Sequence, residues 1–153
     1  MKLYQIHTTQ NLALSIEEAW IFFSNPANLQ TITPDFLKFR ILTALPAAMY
    51  EGLIIHYKVS AIANIPMNWI TEITHVRERQ FFVDEQRSGP YKFWHHQHHF
   101  TPIENGVQME DIVHYALPFG LLGRIVHSLL VKHQLTNIFR FRKQVLQERF
   151  GDV

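Results

Sequence analysis

The stretch FWHHQHHFTPIENGVQMEDIVHYALPFGLLG, residues 93 to 123, decides how this chain folds. Its first part alternates. In an extended strand Trp94, His96, His98 and Phe100 share one side, and Phe93, His95, Gln97, His99 and Thr101 the other, because successive side chains point to opposite faces. Asn105-Gly106 is a strong hairpin signal. Beyond it, Met109, Asp111, Val113 and Tyr115 lie on one face and Gln108, Glu110, Ile112, His114 and Ala116 on the other. After Pro118 the period changes. Leu122, Ile125, Val126, Leu129 and His133 recur on one face of a helix. A helix of about thirty residues is roughly 45 Å long, enough to cross a small sheet.

A two-residue turn at Asn105-Gly106 pairs Glu104 with Val107. It sets Phe100 opposite Asp111, His98 opposite Val113 and His96 opposite Tyr115. The face carrying Trp94, Phe100, Met109 and Val113 is the more apolar and is expected to point inward, taking His96, His98, Asp111 and Tyr115 with it.

Working back toward the N-terminus, Phe81 to Arg87, Met67 to Ile73 and Leu53 to Ala61 read as further strands. Ser88-Gly89-Pro90-Tyr91 supplies a turn. Strands this closely spaced, with no helix between them, form an antiparallel meander. Residues 2 to 14 suit an opening strand. Ser15-Ile16-Glu17-Glu18 is a capping box that starts a short helix with Ala19, Trp20, Phe22 and Phe23 on its apolar face. Pro26 ends that helix, and Asn28 to Ile32 form one more turn closed by Pro34. The order is α+β: one strand, two short helices, a long meander and a long terminal helix.

Length and composition bound the function. The 153 residues suit a single domain spanning 1–153, and 47% hydrophobic content with 18% charged residues is globular rather than disordered. Cysteine is absent, which excludes disulfides, thiol nucleophiles and cysteine-ligated metals. A net charge of +1 brings no global bias toward nucleic acid, and no recognised nucleic-acid motif accompanies the basic residues Arg124, Lys132, Arg140, Arg142, Lys143 and Arg149 of the C-terminal region. These six are expected on a solvated helix face, with weak contact to an anionic surface as the alternative. No run reaches the ~18 apolar residues of a membrane span, and MKLYQIHTTQ lacks the apolar core of a signal peptide. A cytoplasmic protein is expected. No dinucleotide, phosphate-loop or nucleophile-elbow motif is present, so no cofactor is assigned.

Three stretches carry a family resemblance: Phe23-Ser24-Asn25-Pro26-Ala27-Asn28-Leu29 with Ile32-Thr33-Pro34; Phe82-Val83-Asp84 with Gly89-Pro90-Tyr91, Trp94, His96, His98 and Phe100; and Met109, Asp111, Val113, Tyr115, Pro118, Gly120, Leu122 and Gly123 continuing to Ile138-Phe139-Arg140-Phe141-Arg142. Together they resemble the START-like SRPBCC superfamily, in its bacterial ligand-binding branch related to polyketide cyclases and aromatases. The resemblance implies a helix-grip fold, in which a curved antiparallel sheet of six to seven strands wraps a long C-terminal helix. It also implies an internal cavity for a small hydrophobic molecule such as a lipid, a polyketide-like aromatic or an isoprenoid. Five of the ten histidines lie between His95 and His114, more than that branch usually carries in its central strand.

The expected cavity residues are Tyr57, Trp69, Trp94, His96, His98, Phe100, Met109, Asp111, Val113 and Tyr115 from the sheet, under a helical lid of Leu122, Val126, Leu129 and His133. Four readings of His96, His98 and Asp111 stay open. They satisfy one another in the core. They orient the polar end of a ligand. They act as acid and base with Asp111 as orienter. Or His96-x-His98 holds a metal with Asp111 or Asp84 as third ligand; no metal is assigned. Outward-facing His95, His99 and His114 are expected to play an exposed structural role, with adventitious uptake of a transition metal as a prediction from the cluster. Tyr50, Leu53 and Phe119 are candidate gate residues. A carrier or sensor is expected rather than an enzyme, with a cyclase- or aromatase-type enzyme using histidine acid/base chemistry as the alternative.

Overall fold

A computed structural model of the chain describes residues 1–62 and 64–153, except for the side chains of Ile62, Arg124, His127 and Ser128. The chain begins with β1 (Tyr4–Leu12) and α1 (Ile16–Phe23). Two single 3-10 turns, Pro26–Gln30 and Asp35–Leu37, lead to β2 (Arg40–Ile41). The meander follows: β3 (Ile54–Ile62), β4 (Ile65–Arg77), β5 (Phe81–Ser88), β6 (Phe93–Ile103) and β7 (Gly106–Ala116). Two helices, α2 (Gly120–Val126) and α3 (Lys132–Phe150), are joined by a π-helical turn, His127–Val131.

The seven strands form one antiparallel sheet in the order β1-β7-β6-β5-β4-β3-β2, so the first strand returns to pair with the last. The capping box forms as the sequence dictates: Ser15 Oγ accepts from the Glu18 amide at 3.2 Å, and the Ser15 amide donates to the Glu18 carboxylate at 2.9 Å. The second short helix is a 3-10 turn, capped by Asn25, whose side chain accepts from the Ala27 amide at 3.0 Å. Among the described residues no helix is long and apolar enough to cross a membrane.

The β6–β7 register differs from the expected one by two residues. His96 faces Val113, His98 faces Asp111 and Phe100 faces Met109, with Ile103 paired to Gly106. The turn is Glu104-Asn105, and Asn105 itself takes the left-handed conformation, φ 64°. Gly106 is already in the strand. A Cβ there would lie 2.3 Å from the Leu12 carbonyl oxygen, so the glycine serves the close approach of β1 rather than the turn. A slip of two leaves every side chain on its expected face, whereas a slip of one would have turned them all over. His96, His98, Phe100, Met109, Asp111, Val113 and Tyr115 are buried accordingly, and Trp94 is half-buried on the same side.

The helical lid is corrected more deeply. Leu122, Leu129 and His133 face solvent, Leu129 at 70% exposure, and only Val126 packs partly against the core. For Leu129 and His133 the π-helical turn is the reason; Leu122 lies before it, in α2. One extra residue per turn rotates the following helix by about 100°. The buried face after it runs through Val131, Leu135, Arg142 and Leu146, with Ile138 and Phe139 partly covered.

The interior divides into two apolar cores. One holds Tyr57, Trp69, Tyr91, Val113, Tyr115, Val131 and Leu135. The other holds Leu12, Phe22, Phe23, Phe82, Phe100, Met109 and Leu146. On β6 the two histidines lie between Trp94 of the first and Phe100 of the second. On β7 Asp111 lies between Val113 and Met109, and on α3 Arg142 lies between Leu135 and Leu146. A buried polar belt therefore separates two greasy layers.

Candidate functional site

The belt is built from the register of three adjacent strands. Asp84 of β5 faces His96 of β6, and His98 faces Asp111 of β7. The hydrogen bonds run diagonally to this pairing. His98 Nε2 lies 2.8 Å from Asp84 Oδ2, and His96 Nε2 lies 2.9 Å from Asp111 Oδ1. His96 Nδ1 is 3.4 Å from Asp84 Oδ2. His98 Nδ1 is also 2.9 Å from Asp111 Oδ1, but off the hydrogen-bonding direction. The two imidazoles lie 3.7 Å apart, and Phe82 stacks on His98 at 4.1 Å. From α3, Arg142 Nη1 approaches Asp111 Oδ1 to 3.6 Å and its guanidinium lies over the Phe23 ring.

These contacts set the charges. Burial works to raise the Asp84 carboxyl, but the charges of His96 and His98 and the His98 hydrogen bond outweigh it and hold the group below its usual value. Burial opposes ionisation of Asp111 too. The Arg142 guanidinium, then the two histidines, bring it well below the carboxylate range. His96 is pushed down, first by burial and then by the positive charge of His98. Burial also acts against His98, yet its two aspartate partners overcome it and raise the group. Within the belt the carboxylates are compensated by the guanidinium and by the imidazoles that bond them, which suits its burial.

Asp84, His96 and His98 form one wall of a cavity of about 190 Å³. Most of the rest is apolar: Phe22, Phe23 and Leu29 on one side, Tyr57, Trp69 and Trp94 along the sheet, and Leu135, Ile138 and Phe139 from α3; Asn25, Asn28, Thr33 and Arg142 also line it. A further polar point sits at Thr71, whose Oγ1 accepts from Trp69 Nε1 at 3.0 Å and lies 3.1 Å from the Tyr57 hydroxyl.

Of the expected cavity residues, Tyr57, Trp69, Trp94, His96 and His98 line this space. Phe100, Met109, Val113 and Tyr115 are on the inner face but are spent in the two cores. Asp111 lies behind the histidines and lines a different cavity, between β1, β7 and α3. Leu122, Leu129 and His133 are turned away from the cavity, and Val126 does not line it. Of the gate candidates, Leu53 is core and Tyr50 and Phe119 are exposed. The outer histidines do not converge: His95 pairs with Glu85, His99 with Gln97, and His95 and His114 stand 6.5 Å apart between ring centres. Arg142 escaped the sequence reading because it was grouped with the solvated cations; its spacing of seven from Leu135 and four from Leu146 puts it on the buried face. The side chain of Arg124 lies outside the described residues.

No protein-family model matches the chain, and no curated protein matches it in sequence. Solved structures do match. Protein CV1439 from Chromobacterium violaceum superposes with a TM-score of 0.71 at 12% identity, over 98% of this chain and 99% of that one. Major latex-like protein 151 from Panax ginseng matches with a TM-score of 0.69 at 11% identity, covering 97% of both chains. A norcoclaurine synthase mutant from Thalictrum, in complex with a transition-state analogue, matches with a TM-score of 0.65 at 16% identity, over 97% of this chain and 96% of that one. At such identities the likeness is one of fold. A seven-stranded antiparallel sheet gripping a long C-terminal helix, matched end to end by these chains, is the helix-grip fold.

Proposed function

We propose that this protein is a carrier or sensor that holds one small, largely apolar molecule with a single polar group, acting in the cytoplasm. The observation that carries the reading is the lining of the cavity: mostly aromatic and aliphatic, with a few polar side chains, of which Asp84, His96 and His98 are joined in one group. The volume of about 190 Å³ narrows the class of ligand. It is somewhat larger than a ~150 Å³ cavity that admits benzene. A one- or two-ring aromatic or a short isoprenoid suits it better than a diacyl lipid. The molecule's hydroxyl, carbonyl or carboxylate would meet the histidines. Trp69 and Trp94 border the space, so binding is read by tryptophan fluorescence against a panel of small aromatics, after native mass spectrometry and solvent extraction of the purified protein. Saturable quenching by a panel member, lost in Trp69→Phe or in a cavity-filling Ile138→Phe, supports the reading. Absence of both co-purified molecules and quenching overturns it.

The enzyme alternative rests on the His98–Asp84 bond in the cavity wall, which places a carboxylate-bonded imidazole where a bound molecule would sit. It predicts turnover of a found ligand that is lost in His98→Gln while binding persists.

A separate surface bears on delivery. Phe119, Leu121, Leu122, Ile125, Leu129 and Leu130 are each half or more exposed. No aspartate or glutamate occurs from Ile112 to Gln147, and Lys132, Arg140 and Lys143 are exposed nearby in sequence. An apolar ridge among cations and free of acids suits transient contact with an anionic lipid surface.

A further inference from the structure

We infer that Asp84, His96 and His98 form a binding site for one divalent first-row transition ion, opening onto the apolar cavity. The inference goes beyond the carrier reading and does not require it.

Three observations carry it. Asp84, His96 and His98 each offer a donor atom, and these atoms all lie within 4.8 Å of one another. His96 Nδ1 and His98 Nε2 both turn to Asp84 Oδ2, at 3.4 and 2.8 Å. Donor atoms bound at about 2.0–2.1 Å to one ion stand roughly 3.0–3.5 Å apart, so the trio needs only small side-chain adjustment to close on a metal. An ion there replaces the hydrogen bond between His98 and Asp84.

The surroundings have the form of a metal site rather than of a plain ion pair. The histidines are alternate residues of one strand and Asp84 faces His96 on the next, so the backbone of a hairpin fixes all three donors. Asp111 accepts from the far nitrogen of His96 at 2.9 Å, which holds the ring and leaves Nδ1 as the donor toward Asp84. Arg142 beside Asp111 keeps that second carboxylate from competing as a ligand. Asp84, His96 and His98 line the cavity and Asp111 does not. The remaining coordination positions therefore point into the space where a small molecule would sit. Two imidazoles and a carboxylate suit zinc, cobalt(II), nickel or iron(II), and are poor for calcium or magnesium.

The test uses the full chain stripped by a chelator, then titrated with zinc in competition with a chromophoric chelator, and separately with cobalt(II) followed by its visible d–d absorption. One ion per chain is expected, with a spectrum of nitrogen and oxygen ligation. Asp84→Asn and His98→Gln should each weaken binding by at least about 100-fold, and Asp111→Asn by about 10-fold through the freed His96 ring. A His95→Ala/His99→Ala/His114→Ala variant should leave affinity and spectrum unchanged. Each variant is first shown to be folded by near-UV circular dichroism; if His98→Gln does not fold, Asp84→Asn alone decides. Binding abolished by the outer triple variant but retained in Asp84→Asn overturns the proposal, as does no metal-dependent absorption. Fluorescence binding of a small aromatic to the metal-free protein, run alongside, shows separately whether the carrier reading stands.

Discussion

Arg142, just past the middle of α3, sets its guanidinium 3.6 Å from the carboxylate of Asp111 on β7, and both side chains are buried. The pair joins the long helix to the sheet at the level where the two apolar cores meet. Removing one member leaves the other charged and buried, which costs more than the pair itself contributes. Arg142→Met is expected to destabilise the protein by about 3 kcal/mol in urea unfolding. Arg142→Met/Asp111→Leu should recover part of that loss, because the uncompensated carboxylate is gone. Equal stability of wild type and Arg142→Met would remove the pair from the account of the core.

Gly106 should tolerate no side chain. The Cβ of Gly106→Ala would meet the Leu12 carbonyl oxygen at 2.3 Å, so either β1 or the β6–β7 turn must move. A loss of about 1–3 kcal/mol is expected in thermal or urea unfolding. Asn105→Gly, one residue earlier, should change stability by less than about 0.5 kcal/mol, since glycine accepts the left-handed backbone at that position. If the two substitutions behave alike, the role assigned to Gly106 is wrong.

Thr71 is the hinge of a small buried network, bonded to both Trp69 Nε1 and the Tyr57 hydroxyl. Thr71→Val keeps the shape and orphans both partners at the cavity wall. A loss of about 1–3 kcal/mol is expected, with a shift in the tryptophan emission maximum of the folded protein. Thr71→Ser should restore the emission. An unchanged spectrum in Thr71→Val would show that the indole does not depend on this hydroxyl.

Alkaline pH should unfold the protein through its tyrosines. Burial raises Tyr57, Tyr91 and Tyr115, the last to about 12 from an ordinary 10.0. A group whose folded value is raised holds its proton more tightly when folded. Its contribution is complete below the unfolded value near 10 and is lost as the pH climbs through the folded one. Phenolate absorbance from these three residues should therefore be held back from pH 10 and appear only toward and above about pH 12, together with loss of near-UV circular dichroism. Early, smooth titration of all five tyrosines with the fold intact is the contrary result.

Vesicle flotation tests the apolar ridge. Wild type should float with vesicles rich in anionic lipid, remain free with neutral ones and be released by salt. Leu121→Ser/Leu122→Ser should abolish flotation without lowering stability, because both leucines are exposed. Flotation by the double variant equal to wild type, or no flotation by either, would end the membrane reading.

Much of this protein is legible in its sequence because the signals are local. Alternation placed the strands and their inner faces, Ser15 and Glu18 placed the first helix, and the change of period after Pro118 announced the last. Even the register error at Asn105-Gly106 did no harm to the assignment of faces, since a strand repeats every two residues and the slip was two. The histidines, read as inward from their neighbours Trp94 and Phe100, are inward.

What only tertiary structure decided is relational. A π-helical turn at His127–Val131 has no sequence signature in the apolar pattern, and it turned Leu129 and His133 to solvent. Arg142 looked like one more surface cation until the helix phase was known. Asp84 stood only as one candidate for a third ligand, because its nearness to both histidines depends on the β5–β6 register. Strand order alone told that each aspartate faces one histidine and bonds the other. Composition and period determine which side chains go inside; which of them then touch is settled by how distant segments pack, and the chemistry of the cavity wall resides in those contacts.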